Sequence, residues 1–320
     1  MLRKYLKKFP LIQYFLKYSR QRDEISVLNT QLNLAFKHIE HLHRTALKSE
    51  NIIAKSEKNN NKNKELLIAS LTSYGGRVST VDQTILSLLN QTVKADKVIL
   101  WLAEDDFNFE QLPNSLLTLQ QYGLEIKFCQ DIRSYKKLLP TLKMYPDEII
   151  ITFDDDIIYP SDQIERLMAH HNKYPNAIIC HRAHQINHAE NGGILPYTEW
   201  RYDVDIVEPR KDLIAIGIGG VLYPPHCLYQ EVFNQEKFMM LSPYADDLWF
   251  KAMATKNNTL VKVVDSPISY QDYLIIFNSQ NTSLWQENKY NNDQQLTNIL
   301  NHYPEIGDNL NEHRPLSTSK

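Results

Sequence analysis

Two short acidic stretches carry most of the chemistry this sequence can offer. In ITFDDDIIYP an apolar run empties into Asp154, Asp155 and Asp156, and in ADDLWFKAMA Asp246 and Asp247 open a helical pattern. Three adjacent carboxylates in a dry site repel one another, so something positive should sit there. Hard oxygen donors suit Mg²⁺ or Mn²⁺, and a site with few protein carboxylates leaves coordination positions for diphosphate oxygens. The plainer reading is a solvated turn before a helix that starts near Asp162, where acids are favoured anyway. Asp246 and Asp247 are equally ordinary at a helix start, yet a carboxylate fixed there is well held to act as a general base toward a hydroxyl. In LIAIGIGGVLYPP, Gly217, Gly219 and Gly220 let bare backbone approach a ligand, although glycines also make bulges. In CHRAH, His181, Arg182 and His184 follow an apolar run and can touch a substrate or serve as structural donors.

These groups need a scaffold, and the hydrophobic pattern supplies one. From Glu65 onward β-rich runs (LLIASL, KVILWL, LEIKFC, EIIITF) alternate with helical patterns over 81–90 and 116–122. That rhythm predicts an α/β domain over 65–275, with a mostly parallel sheet flanked by helices. In open sheets of this kind ligands collect beyond the carboxyl ends of the strands. Thr72, Ser73 and Arg77 fall there after the first run, Glu104 and Asp105 after the second, and Asp154 to Asp156 after the fourth. An AIIC run and an LVKVV strand follow, with ADDLWF opening an amphipathic helix between them. The closing 276–320 extension contains SLWQENKYNNDQQL, aromatic and amide-rich, which suits stacking on a ligand, a mobile lid or a helix that caps the core.

The first 64 residues read differently. Residues 1–20 hold Arg3, Lys4, Lys7, Lys8, Lys17 and Arg20 with no acid, interleaved with apolar residues. That mixture can lie on an anionic membrane surface or pack its apolar side on the domain. Over 24–54, Ile25, Leu28, Leu32, Ala35, Ile39, Leu42, Ala46, Ser49 and Ile53 recur in steps of three and four, the seam of a coiled-coil helix. Such a seam wants a partner, so a homo-oligomer or an antiparallel hairpin within the chain is expected. Residues 55–64, polar and Asn-rich, read as a flexible linker. The net charge of −3 gives no global reason to expect nucleic-acid binding, and three widely spaced cysteines argue against a disulfide scaffold. No uncharged apolar stretch approaches the roughly 20 residues of a membrane span, so the expectation is a cytoplasmic protein, peripheral on the inner face of the plasma membrane through residues 1–20.

Taken in order, SLTSYGGR, TILSLLNQT, TFDDDIIYP and ADDLWF resemble bacterial glycosyltransferases of the GT-A (Rossmann-like) fold, near the large family-two group. The resemblance spans about residues 66 to 265. It implies a nucleotide-sugar donor, a glycan or glycolipid acceptor and a role in bacterial surface polysaccharide assembly. By position, Thr72, Ser73, Arg77 and Glu104 or Asp105 would hold the nucleoside, and Lys137 or Lys136 in SYKKLLP the diphosphate. The acidic triplet corresponds to the family's Asp-x-Asp metal motif and resembles the three-aspartate form of β-1,3-galactosyltransferase and Fringe-type enzymes. Asp156 is then the principal metal ligand, with Asp154 and Asp155 beside it. ADDLWF falls where inverting members carry a Glu-Asp pair, which makes Asp247 the base and Asp246 the residue that orients the acceptor, with Asp in place of Glu at 246. Gly219 and Gly220 would line the sugar cleft. Three alternatives stay open: a retaining transferase, a sugar-nucleotide synthesising enzyme, and a non-catalytic coiled-coil scaffold.

Overall fold

The structure is a computed structural model that describes residues 65–265, 267–268, 272–276 and 285–311. The basic segment, the coiled-coil seam and the linker of residues 1–64 lie outside the described residues. Over the rest the α/β expectation holds. The strands are β1 (Leu67–Thr72), β2 (Lys97–Ala103), β3 (Leu124–Cys129), β4 (Ile149–Phe153), β5 (Ile157–Ile158), β6 (Ile178–Cys180), β7 (Ala183–Gln185), β8 (Leu213–Ala215), β9 (Val221–Tyr223), β10 (Val261–Val263) and β11 (Leu274–Ile275). Seven of them form one sheet in the order β10-β6-β9-β4-β1-β2-β3. All its pairings are parallel except those of β9, which runs antiparallel to both β4 and β6.

Burial follows position in the sheet. β1 and β4 lie inside it and are buried almost throughout, which is why LIASLT and IIITF read as unbroken apolar runs. Edge strand β3 instead alternates, with Leu124 and Ile126 inward and Glu125 and Lys127 outward. Glu125 pairs there with Lys97 and Lys127, a charged rim that discourages pairing with another chain.

The helices are α1 (Val81–Leu89), α2 (Asn114–Thr118), α3 (Leu139–Met144), α4 (Gln163–His171), α5 (Gln235–Leu241), α6 (Asp246–Lys256), α7 (Trp285–His302) and α8 (Pro304–Asn311). The helix predicted over 116–122 starts two residues earlier as α2, tightens to a 3-10 turn over Leu119–Tyr122 and stops at Gly123, whose φ of 109° ends it in the left-handed region. One expectation needs correction. ADDLWF opens α6 as predicted, but the helix is not amphipathic: Asp246 and every residue from Leu248 to Thr255 are buried. The reason is packing from both sides, by β8 and by α7 and α8, whose Ile299, Ile306 and Leu310, with Tyr303 between the two helices, join Trp249 in one core. The described part of the C-terminal extension is therefore helical and built into that core.

Insertion of β9 against β4 explains the glycine patch that precedes it. Gly220 has φ +84°, and a Cβ there would sit 2.7 Å from the Phe153 ring. Gly220→Ala is expected to destabilise the domain by about 1–3 kcal/mol through backbone strain and overpacking, read from urea unfolding. An unchanged midpoint would contradict this account of the patch.

Candidate active site

The chain order β1, β2, β3 runs outward on one side of β1, and β4 then returns to its other side. This reversal opens a crevice beyond the carboxyl ends of β1 and β4, the place where α/β sheets hold ligands. Ser73 and Arg77 come from the segment after β1, and Asp154, Asp155 and Asp156 from the turn after β4. Lys137 comes from the 3-10 turn Arg133–Lys137, and Asp246 and Asp247 from the first turn of α6.

These side chains are brought together. Ser73 Oγ donates to Asp155 Oδ2 at 2.6 Å, and Arg77 Nη1 reaches Asp155 Oδ1 at 2.7 Å and Asp156 Oδ2 at 3.2 Å. Lys137 Nζ lies 3.4 Å from Asp154 Oδ1 and 2.9 Å from Asp246 Oδ2. Ser134 Oγ donates to Asp246 Oδ1 at 2.9 Å, and the Gly217 N–H to Asp247 Oδ2 at 3.3 Å. Tyr159 fixes the acidic turn from below, its hydroxyl accepting the Asp154 N–H at 3.0 Å.

Five carboxylates are thus knit together by two cations, Arg77 and Lys137. The imbalance appears in their titration. Burial, then Asp154 and Asp155 against the pull of Arg77, pushes Asp156 up to about 7. Burial and Asp246 do the same to Asp247, pushed up to about 7 against the pull of Lys137. Burial alone would lower Lys137, but Asp246, Asp154 and Asp247 outweigh it and hold the ammonium charged. Such a site lacks positive charge.

Among the described residues no group of three or more His, Cys, Asp and Glu side chains is arranged to hold a metal alone. The aspartates nevertheless fit a divalent cation of the Mg²⁺ or Mn²⁺ kind, which takes one or two carboxylates plus substrate phosphates. Asp155 takes both Ser73 and Arg77, while Asp156 meets Arg77 and the less buried Asp154 meets Lys137, so these two are the carboxylates for which a cation would compete.

Several other residues singled out in the sequence make no contact with these carboxylates. Thr72 Oγ1 donates to the Trp101 carbonyl at 2.9 Å, and Glu104 and Asp105 lie exposed in the turn after β2, one strand away. Lys136 pairs with Asp131 rather than with the acidic turn. At Gly217 a Cβ would meet Lys137 Nζ at 2.9 Å and Asp154 Oδ1 at 3.0 Å, so its bareness makes room for that ion pair. Gly219, φ +97°, packs against His181 and Tyr273, and with Gly220 it shapes the entry into β9. His181 and His184 are buried, and burial lowers them to about 3 and about 4, so both are neutral. One ring nitrogen of each has a partner, His181 Nε2 at the Gln163 carbonyl and His184 Nδ1 at the Asp203 N–H, while His181 Nδ1 and His184 Nε2 have none among the described residues. Of the three, Arg182 borders a pocket of about 110 Å³, bounded also by Tyr197, Asp246, Asp247 and Asn292.

Ser134, Tyr159, Tyr197 and Asn292 were not expected at the site. Ser134 and Tyr159 stand three residues from Lys137 and Asp156 along the chain, a signal that proximity alone could have given. Nothing local marks Tyr197, whereas Asn292 falls within the amide-rich segment SLWQENKYNNDQQL without being distinguished there from its neighbours.

The fold and site define a Rossmann-like α/β protein with a buried acidic cluster at the sheet's switch point. No protein-family model matches the sequence, and no curated protein matches it. Among solved structures the chain is similar to a CMP:2-keto-3-deoxy-manno-octonic acid synthetase complexed with CTP, at 12% identity and a TM-score of 0.39 over 63% of this chain and 90% of that one. It is also similar to a 4-diphosphocytidyl-2C-methyl-D-erythritol synthase, at 11% identity and a TM-score of 0.37 over 73% of this chain and 99% of that one. No helix among the described residues is long and apolar enough to cross a membrane.

Proposed function

We propose that the protein is a metal-dependent glycosyltransferase, moving a sugar from a nucleotide-sugar donor to a hydroxyl of a glycan or glycolipid acceptor. The observation that carries this reading is the shortage of positive charge among Asp154, Asp155, Asp156, Asp246 and Asp247, beside a pocket that Asp246 and Asp247 help to line. Asp156 with Asp154 would hold Mg²⁺ or Mn²⁺, which when bound offsets the charge of the donor diphosphate. Arg77, facing the same turn, and Lys137, between it and α6, are the chain's own cations for that charge.

Asp247 accepts the proton of the acceptor hydroxyl as its oxygen bonds to the anomeric carbon and the bond to the diphosphate breaks, so configuration inverts. The Gly217 N–H orients Asp247, while Ser134 and Lys137 hold Asp246 beside it. Bacterial surface polysaccharide assembly remains the setting that the sequence resemblance implies.

Sugar-nucleotide synthesis, which also uses an α/β sheet and a carboxylate-bound metal, is the competing reading. Incubating the full chain with a nucleotide-sugar panel and Mn²⁺ separates the two. Metal-dependent release of nucleoside diphosphate is expected; pyrophosphate-dependent formation of nucleoside triphosphate, without diphosphate release, would replace transfer by synthesis.

A further inference from the structure

The pocket beside Asp246 and Asp247 has one wall that the acidic cluster does not account for. That wall is α7, whose segment Asn292–Asn298 presents amides and one carboxylate to the loops around the site. Asp293 Oδ1 accepts the Tyr197 N–H, Gln295 Oε1 accepts the Tyr244 N–H at 2.8 Å, and Asn298 Nδ2 donates to the Leu241 carbonyl at 3.3 Å. Asn292 also lies beside the Tyr197 side chain. Yet Asn292 Oδ1 has no donor, although the residue is only 7% exposed and lines the pocket. A buried amide oxygen without a partner costs about 1–3 kcal/mol, so a position like this is expected to be completed by something that enters.

The rest of the lining tells what enters. Asp246, Asp247 and Asn292 bring acceptor oxygens to the lining, and Arg182, whose guanidinium is held by Asp203, borders them. Ile214 from β8, with Ile216 and Ile218 from the loop that follows it, adds an apolar part to the lining. A ligand matched to this pocket carries several O–H donors and a C–H face. A sugar ring has that chemistry.

We propose that this pocket binds a saccharide ring of the acceptor, and that Asn292 is a specificity-determining residue whose Oδ1 accepts one ring hydroxyl. The proposal rests on the transferase reading for the word acceptor, but the pocket's preference for a sugar ring is testable apart from it. The C-terminal extension, on this view, supplies part of the substrate site as well as part of the core.

Ligand-observed NMR titration of the full chain with methyl glycosides of glucose, galactose, mannose and N-acetylglucosamine provides the test, alongside nucleoside diphosphates with Mn²⁺. At least one glycoside is expected to bind, and Asn292→Ala to weaken it about 10-fold, the loss of one hydrogen bond of about 1.4 kcal/mol. Asn298→Ala, on the same helix but bonded away from the pocket, should leave glycoside binding unchanged, and nucleotide binding should hold in both variants. The proposal is overturned if no glycoside binds while nucleotide does, or if the two variants weaken glycoside binding equally, which would mean that only helix packing is at work. Glycoside binding with no nucleotide binding would instead sustain the pocket and sink the transferase reading.

Discussion

Asp247→Asn is expected to lower turnover by about 10²- to 10⁴-fold, the usual contribution of a positioned general base, while nucleotide-sugar binding stays near wild type. The substitution keeps the shape of the side chain and an oxygen for the Gly217 N–H, and removes the group that takes the proton. Asp247 suits that role for two reasons. It opens onto the pocket between β8 and α7, and burial beside Asp246 pushes it up to about 7. A raised carboxyl is neutral below that value and ionised above it, and only the ionised form can accept a proton. Turnover should therefore rise as pH increases through about 7 and level off above, a limb that Asp247→Asn removes. Full turnover in the variant, with donor still bound, would reassign the base.

The second large effect is on stability. Lys137→Met should destabilise the domain by about 3–5 kcal/mol, the cost of removing one member of a buried charge pair, and lower its melting temperature by about 10 °C. The Lys137 side chain is 9% exposed and lies between Asp154 and Asp246. Methionine fills similar space but leaves both carboxylates without the cation that lies between them. The loss should shrink at acidic pH, where protonation relieves the repulsion, and adding Asp246→Asn should recover part of it. Urea unfolding of the single and double variants at two pH values gives both readings. Equal losses at both pH values, with no recovery in the double variant, would show that Lys137 acts through packing rather than charge.

Much of this architecture is legible in the sequence because the informative patterns are local. Buried parallel strands are short apolar runs, and LLIASL, KVILWL and EIIITF fall on β1, β2 and β4 with the polar residues at their carboxyl ends. The glycine patch was legible as a close approach, though two of its three glycines meet Phe153, His181 and Tyr273 rather than open space. What escaped depends on partners far along the chain. The antiparallel setting of β9 is fixed by register with β4 and β6, and no three-residue run encodes direction. The full burial of α6 requires α7 and α8, which begin some way beyond it, so its own periodicity could not reveal it. Arg77 was expected to face a nucleoside. In the structure it faces Asp155 and Asp156, an ion pair that only the crossing of β4 to the far side of β1 creates.

The central claim is that Asp156 and its neighbours form a diphosphate site completed by a divalent cation. Calorimetric titration of nucleoside diphosphates into the wild type and into Asp156→Asn, each with and without Mn²⁺, addresses it most directly. Binding that requires Mn²⁺ and weakens at least about 10-fold in Asp156→Asn is the predicted result. Nucleotide affinity that is the same with and without metal, and unchanged by the substitution, would contradict it.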